Sequence, residues 1–325
     1  MGEEEGRNQT FILEFILLGF GEAPEMQPLL FLILLVIYLM TLVGNTLIVA
    51  LVVTEQQLHT PMYYLLWSLA CLETCFSSAI LPRLLASLQT GDRAISVKGC
   101  FVQSYFFGVM SATETLLLTA MSYDRYLAIC HPLRYTALMN GSICIQLAAW
   151  SWISSFLACA IVDIFFFQLK FCHGKEIDHF FCDFTAMLKL SCDDTQFLQL
   201  VAFTVAVIWT LVPMLLTLVS YVCIIISILR ISSTTGRLKA FSTCSSHLIV
   251  LTVYYVITIC VYLVPIVNTA TVHKKIFSFI CTVLPPMVNP VIYCLRNKEV
   301  KASLRKAFLK LVDFSNTHRI RKDAF

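Results

Sequence analysis

The sequence predicts an all-α membrane protein, a seven-transmembrane helix bundle with a short amphipathic C-terminal helix. Three observations carry this. The 325 residues are 58% hydrophobic and 13% charged, with mean hydropathy +0.80, whereas a soluble domain carries about 25% charged residues. Seven continuous apolar runs follow one another along the chain. The two ends carry opposite charge: six Glu against Arg7 in the first 25 residues, and nine Lys or Arg from Arg296 onward.

The runs are Leu29–Val53, Pro61–Leu85, Cys100–Ile129, Ser142–Val162, Leu198–Leu229, His247–Val264 and Ile276–Leu295. Each is near the roughly 20 residues that cross about 30 Å of hydrocarbon as a helix. The third and fifth exceed this and are expected to tilt or to extend into water. The runs are continuous, not alternating, which excludes a transmembrane β-barrel. An odd number of spans puts the termini on opposite sides, and the basic tail assigns the C-terminus to the cytoplasm and the N-terminus to the outside. Lys170, Lys175 and Lys189 sit in a long loop and weigh little; Lys274 and Lys275 sit at a short one. The division is a 1–28 extracellular N-terminus, a 29–295 seven-transmembrane domain and a 296–325 cytoplasmic amphipathic helix and tail, in the plasma membrane. The first 25 residues lack the basic-apolar-small pattern of a cleavable signal peptide, so the first span is expected to serve as its own signal.

In chain order, Asn8-Gln9-Thr10 is a glycosylation sequon on the outer side. A second, Asn140-Gly141-Ser142, falls on the cytoplasmic side and is expected to be silent. Glu73 and Glu114 lie mid-span. A carboxylate in hydrocarbon costs several kcal/mol unless paired, hydrated or protonated, so both are expected to face the interior, with Asn45, Ser111 and Asn289 placed to join them. Two nearby carboxylates disfavour double ionisation, so one proton or one cation is held between them. The competing reading is a static polar contact that positions helices.

The third run ends in Met121–Tyr135, MSYDRYLAICHPLRY, with Asp124-Arg125 where a span reaches water. An Asp can hold such an Arg by charge-assisted hydrogen bonds, and an Arg that later swings away makes the pair a switch. Most of the fourteen cysteines lie in apolar runs, as small hydrophobes. Cys100, Cys172, Cys182 and Cys192 fall outside, and four cysteines allow three connectivities. A metal site from Cys172, His173 and His179 is the competing use of these side chains. Pro213, Pro265 and Pro290 supply kinks. After Leu295, the residues Val300, Leu304, Ala307, Phe308 and Leu311 share one helical side and basic residues occupy much of the rest. This predicts a helix lying on membrane lipids at the inner leaflet. There is no H-E-x-x-H, no Walker A loop, and no Lys within Ile276–Leu295 for a retinal Schiff base. No repeat favours a transporter. An enzyme and a nucleic-acid partner are not expected.

The Met121–Tyr135 string resembles the third-helix signature of olfactory receptors, a branch of the rhodopsin-like G-protein-coupled receptors, departing mainly at Ser122, where Ala is usual. The resemblance extends along nearly the whole chain. It includes Phe15–Phe20, Gly44-Asn45, Leu58–Tyr64 (with Tyr64 for the usual Phe), Ser220-Tyr221, Lys239–Leu248, Pro286–Tyr293 and Leu295–Asn297. It implies disulfides Cys100–Cys182 and Cys172–Cys192, and a sodium-linked switch at Asn45, Glu73, Ser111, Glu114 and Asn289. It implies an odorant pocket from Phe107, Gly108, Ser111, Ala112, Val205, Ala206, Trp209, Tyr255, Thr258, Ile259 and Tyr262. The family often reads Phe-Tyr-Gly where Tyr254-Tyr255-Val256 stand. The listing of side chains is mostly apolar and uncharged, which suits a small neutral molecule. Coupling is assigned to Asp124, Arg125, Tyr126, Tyr221, Arg237, Lys239, Asn289, Pro290 and Tyr293, with Arg237 and Lys239 equally readable as topology determinants. The implied function is binding of small hydrophobic odorants and activation of a stimulatory olfactory-type G protein, raising cyclic AMP. The alternative is a seven-span receptor for a non-odorant small ligand.

Overall fold

A computed structural model describes residues 13–21, 24–263, 271–296, 299–306 and 309. Asn8, Pro265 and the tail residues Ala307, Phe308 and Leu311 lie outside them. In chain order the elements are β1 (Glu14–Leu17), α1 (Gln27–Thr54), α2 (Pro61–Thr90), β2 (Ala94–Ser96), α3 (Val97–Cys130), α4 (Tyr135–Leu138), α5 (Gly141–Phe166), β3 (Glu176–Ile177), α6 (Phe184–Leu188), α7 (Gln196–Leu229), α8 (Thr234–Leu263) and α9 (Thr271–Arg296). The long helices α1, α2, α3, α5, α7, α8 and α9 correspond to the seven apolar runs. The C-terminal residues 299–306 are helical as well.

Helix ends follow local chemistry. Ser96 caps α3 by accepting from the Gly99 amide at 3.1 Å, and Asn140 caps α5 by accepting from Ile143 at 3.0 Å. The second sequon asparagine is thus a structural cap. Proline opens α1 and α2, where its missing N–H costs nothing. Gly91, with φ of 74°, ends α2 in the left-handed conformation that glycine adopts without strain.

Among the described residues, α1, α2, α5, α7 and α9 are each long and apolar enough to cross a membrane, and α8 joins them if its two pieces, inclined by 50°, count as one span. The protein is a multi-pass membrane protein. α3 is the exception in composition. It carries Gln103, Ser111, Thr113, Glu114, Thr115 and Thr119 because it packs against α2, α5, α7 and α8, and a helix surrounded by protein uses polar side chains as interhelical ties. The most apolar stretch of α2 is 61% buried against 17% for that of α5, so α2 is interior and α5 is rim. α8 begins at Thr234 and not at His247, because the polar 234–246 segment continues the helix beyond the apolar run.

One end of the bundle carries structure that the apolar pattern did not show. β1 sits at the centre of a three-stranded sheet, antiparallel to β2 (Phe15 opposite Ile95) and parallel to β3 (Leu17 opposite Ile177). Below it Phe15, Phe101, Phe166, Ile177 and Met187 form a buried cluster. Disulfides Cys100–Cys182 and Cys172–Cys192 close this end, with Cα separations of 5.3 and 5.6 Å. The metal alternative fails on chemistry. Cys172 and Cys192 are bonded to each other and offer no thiolate, and the His173 ring is 2.9 Å from the Ser191 carbonyl. His179 lies elsewhere, buried against Phe180 and Phe181. Lys275 of α9 reaches across to the Gly19 carbonyl at 2.9 Å and pairs with Asp178, which ties the last span to the sheet and the long loop.

Burial pushes His179 down to about 4, outweighing the upward pull of Asp183 and Asp178, while Lys275 adds to the depression. The unfolded chain, with an ordinary histidine near 6.5, binds the extra proton first. Stability is therefore complete above about pH 6.5 and is lost as pH falls toward about 4. Melting temperatures of the purified chain across that window should fall with acidification, and His179→Phe should flatten the dependence.

Candidate functional site

At the end opposite the disulfides, Asp124 is fully buried and both of its oxygens are engaged. Oδ2 accepts from Arg125 Nη2 at 2.7 Å and Nε at 3.1 Å. Oδ1 accepts from the Tyr135 hydroxyl at 2.8 Å. Burial, with the Asp124 carboxylate adding to it, pushes the Tyr135 phenol up, so it stays a donor. The pair is local in sequence but closed by α4, which folds back beneath α3.

Around Arg125 stand Tyr221 of α7, His247 of α8 and Tyr293 of α9, all buried and within its electrostatic reach. Tyr221 and His247 share a 2.8 Å hydrogen bond that bridges α7 and α8. The Tyr293 hydroxyl and His247 Nε2 are buried and have no hydrogen-bond partner among the described residues. Tyr126 turns away, bonding His131 at 3.0 Å. Arg237 also stands apart, giving a hydrogen bond to the Ile231 carbonyl at 3.1 Å where α7 ends. The side chain of Lys239 lies outside the described residues. Tyr135 and His247 are the residues whose roles the sequence reading missed, although both stand inside strings it quoted.

Mid-bundle, Glu73 of α2 and Asn289 of α9 are brought together: the Asn289 amide donates to Glu73 Oε1. Asn45 of α1 lies beside Glu73 and donates to the Pro286 carbonyl at 3.0 Å, tying α1 to α9. Gly44 makes this approach possible, since a Cβ there would meet Pro290 side-chain carbons at 3.0 Å. Glu114 of α3 faces the same cluster from the other side. Glu114 Oε1 and Asn45 Oδ1 are buried acceptors without a hydrogen-bond partner among the described residues. Ser111 is instead engaged within α3, where its carbonyl accepts from the Thr115 hydroxyl at 3.0 Å.

From this level toward the Arg125 end the inner faces of α3, α7 and α8 are joined by hydroxyls. Thr115 and Tyr254 share a 2.5 Å hydrogen bond, Thr217 and Tyr255 one of 3.3 Å, and Thr119 and Thr217 one of 3.4 Å. Tyr255 was expected here; Thr115, Thr217 and Tyr254 were not. Thr258 spends its hydroxyl on the Tyr254 carbonyl of its own helix at 2.8 Å. Val205, Ala206, Ser111 and Ala112 are half-buried, and Trp209 Nε1 is buried with no hydrogen-bond partner among the described residues. Phe107 packs on Phe76 of α2 and Phe181 of the long loop, and Gly108 faces Cys159 of α5. The side chains of Ile259 and Tyr262 lie outside the described residues.

The described residues form a bundle of long apolar helices, closed by disulfides at one end and by a buried Asp–Arg pair at the other. Comparison with known proteins gives the family. The family model described as olfactory receptor matches residues 34–311. Olfactory receptor 1E16 of Mus musculus is 42% identical over 304 residues, covering 94% of this chain and 97% of its own. Olfactory receptor 10A3 of Homo sapiens is 43% identical, covering 94% and 98%, and olfactory receptor 6P1 of Homo sapiens is 45% identical, covering 91% and 93%. The chain belongs to the olfactory receptor family.

Asn289→Ala removes the donor on Glu73 and is expected to destabilise the bundle by roughly 1–3 kcal/mol. Glu73→Gln keeps an acceptor for Asn289 and should cost much less. Thermal unfolding of the two variants in detergent checks this, and equal losses would count against the pairing.

Proposed function

We propose that this chain binds small, neutral, hydrophobic odorants and promotes nucleotide exchange on a stimulatory olfactory-type G protein, raising cyclic AMP. The observation that carries the reading is the doubly held Asp124. With one oxygen on Arg125 and the other on Tyr135, it keeps the arginine at the protein–water boundary in a restrained arrangement. An odorant bound between α3, α7 and α8 favours the active state by its greater affinity for it. The hydroxyl chain Thr115, Thr217, Tyr254 and Tyr255 links those helices and gives the ligand's shape a route into their packing. Arg125 then leaves Asp124, and Tyr221 and Tyr293 support it against the G protein. The ligand is neutral because the half-buried positions Ser111, Ala112, Val205, Ala206 and Trp209 offer no charge.

The mid-bundle cluster fits a sodium ion, because Glu114 Oε1 and Asn45 Oδ1 are buried acceptors that lack donors and Glu73 lies beside them. These three residues would hold it, and it would neutralise carboxylate charge that the hydrocarbon penalises. The N-terminus faces outward in the plasma membrane, with the disulfide end in the oxidising compartment, and the helix at 299–306 lies at the cytoplasmic surface.

In cells expressing the chain, an odorant panel should yield a cyclic AMP response that Arg125→Ala abolishes at unchanged surface expression. A response equal in that variant would overturn the role of Arg125. Tyr135→Phe frees one oxygen of Asp124 and should raise ligand-independent cyclic AMP by about tenfold or more, the equivalent of one charge-assisted hydrogen bond of about 1.5–3 kcal/mol. For topology, glycosidase treatment should shift the mobility of the expressed chain, and Asn8→Gln should remove the shift; a shift that persists would place the glycan elsewhere.

A further inference from the structure

On the flank of the bundle, between α2 and α3, lies a cleft of about 410 Å³ lined by Cys75, Ala79, Arg83, Val102, Phe106 and Met110, among others. Three features describe it. It opens sideways, since Cys75, Val102 and Phe106 are exposed on the surface that meets the membrane. It is one leaflet long: on α3 it runs from Gly99 to Met110, about 16 Å at 1.5 Å per residue, or half of a hydrocarbon core of about 30 Å. It is polar at one end only. Arg83 stands at the disulfide end, where it donates to the Ala94 carbonyl of β2 and lies 3.6 Å from an exposed Asp92. A guanidinium has five N–H donors, so most of its capacity is left for a ligand. The other polar side chain in the wall, Gln103, is spent: it donates to the Ala79 carbonyl at 2.9 Å and accepts from the Cys182 amide at 3.0 Å.

We propose that this cleft is a binding site for a glycerophospholipid of the leaflet at the disulfide end. Its phosphate sits on Arg83, and one acyl chain lies along Val102, Phe106 and Met110 with its tip near Cys75. The planar guanidinium fork matches phosphate geometry, and the apolar wall matches a chain that spans one leaflet. A sterol would give Arg83 only a hydroxyl and would leave the exposed Asp92, 3.6 Å away, as its counter-charge. A bound lipid here would brace the contact of α2 with α3 just below the Cys100–Cys182 disulfide.

The test is native mass spectrometry of the full chain purified in mild detergent, titrated with dioleoyl phosphatidylcholine or, separately, cholesterol. One phospholipid should be retained more tightly than all others. Arg83→Gln, which removes the charge, and Cys75→Trp, which fills the chain end while leaving Arg83 intact, should each weaken its retention on the order of tenfold or more. Phospholipid retention unchanged in Cys75→Trp would overturn the proposal, as would cholesterol held in preference to phospholipid. Because Arg83 also holds β2, the Cys75→Trp result decides if Arg83→Gln fails to fold.

Discussion

A carboxylate inside a membrane-bounded bundle has to be paired, and much of this molecule depends on how Glu73 meets that constraint. Its partner, Asn289, sits on the last span, more than two hundred residues away, so the pairing draws α2 and α9 together. Asn45 adds α1 through the Pro286 carbonyl, and Gly44 removes the Cβ that would hold the helices apart. Glu114 brings α3 to the same level. In lipid the apolar surface of a helix gains little by facing another helix, so polar ties of this kind and close packing have to supply the specificity.

The two ends are held by different chemistry. The disulfide end is crosslinked covalently, sheeted by β1, β2 and β3, and pinned by Lys275 to Gly19 and Asp178. The opposite end is held by hydrogen bonds that can be exchanged: Asp124 with Arg125 and Tyr135, Tyr221 with His247, Tyr63 with Glu299 at 2.6 Å, and Glu55 with Lys306 at 2.7 Å. Covalent closure limits motion at the first end, and exchangeable bonds permit it at the second. The last two ties also anchor the 299–306 helix to the start of α2 and to the first loop, with Val300 buried.

The hydroxyl chain between α3, α7 and α8 sits between these regimes. Thr115 and Thr119 donate their hydroxyls to the Ser111 and Thr115 carbonyls of their own helix, so each can change its cross-helix partner without leaving a donor unpaired. That makes the interhelical contacts adjustable at small cost.

The sequence by itself determined the bundle, because hydrocarbon permits few structures and long apolar runs declare themselves. It also determined the Asp124–Arg125 pair, which is adjacent in the chain, and it marked Glu73, Glu114 and Asn289 as interior because a charged or amide side chain in a span has nowhere else to go. Only the tertiary structure decided what those groups touch. Tyr135 closes on Asp124, and His247 meets Tyr221, through the meeting of helices that no local period encodes. The β1 strand pairs with segments some 80 and 160 residues away, and its short apolar stretch carries no sign of that pairing. Phe107 and Gly108, neighbours on α3, turn toward α2 and the long loop and toward α5 respectively, because a helix rotates successive residues by about 100° and the packing around it, not the motif, sets which neighbour each one meets.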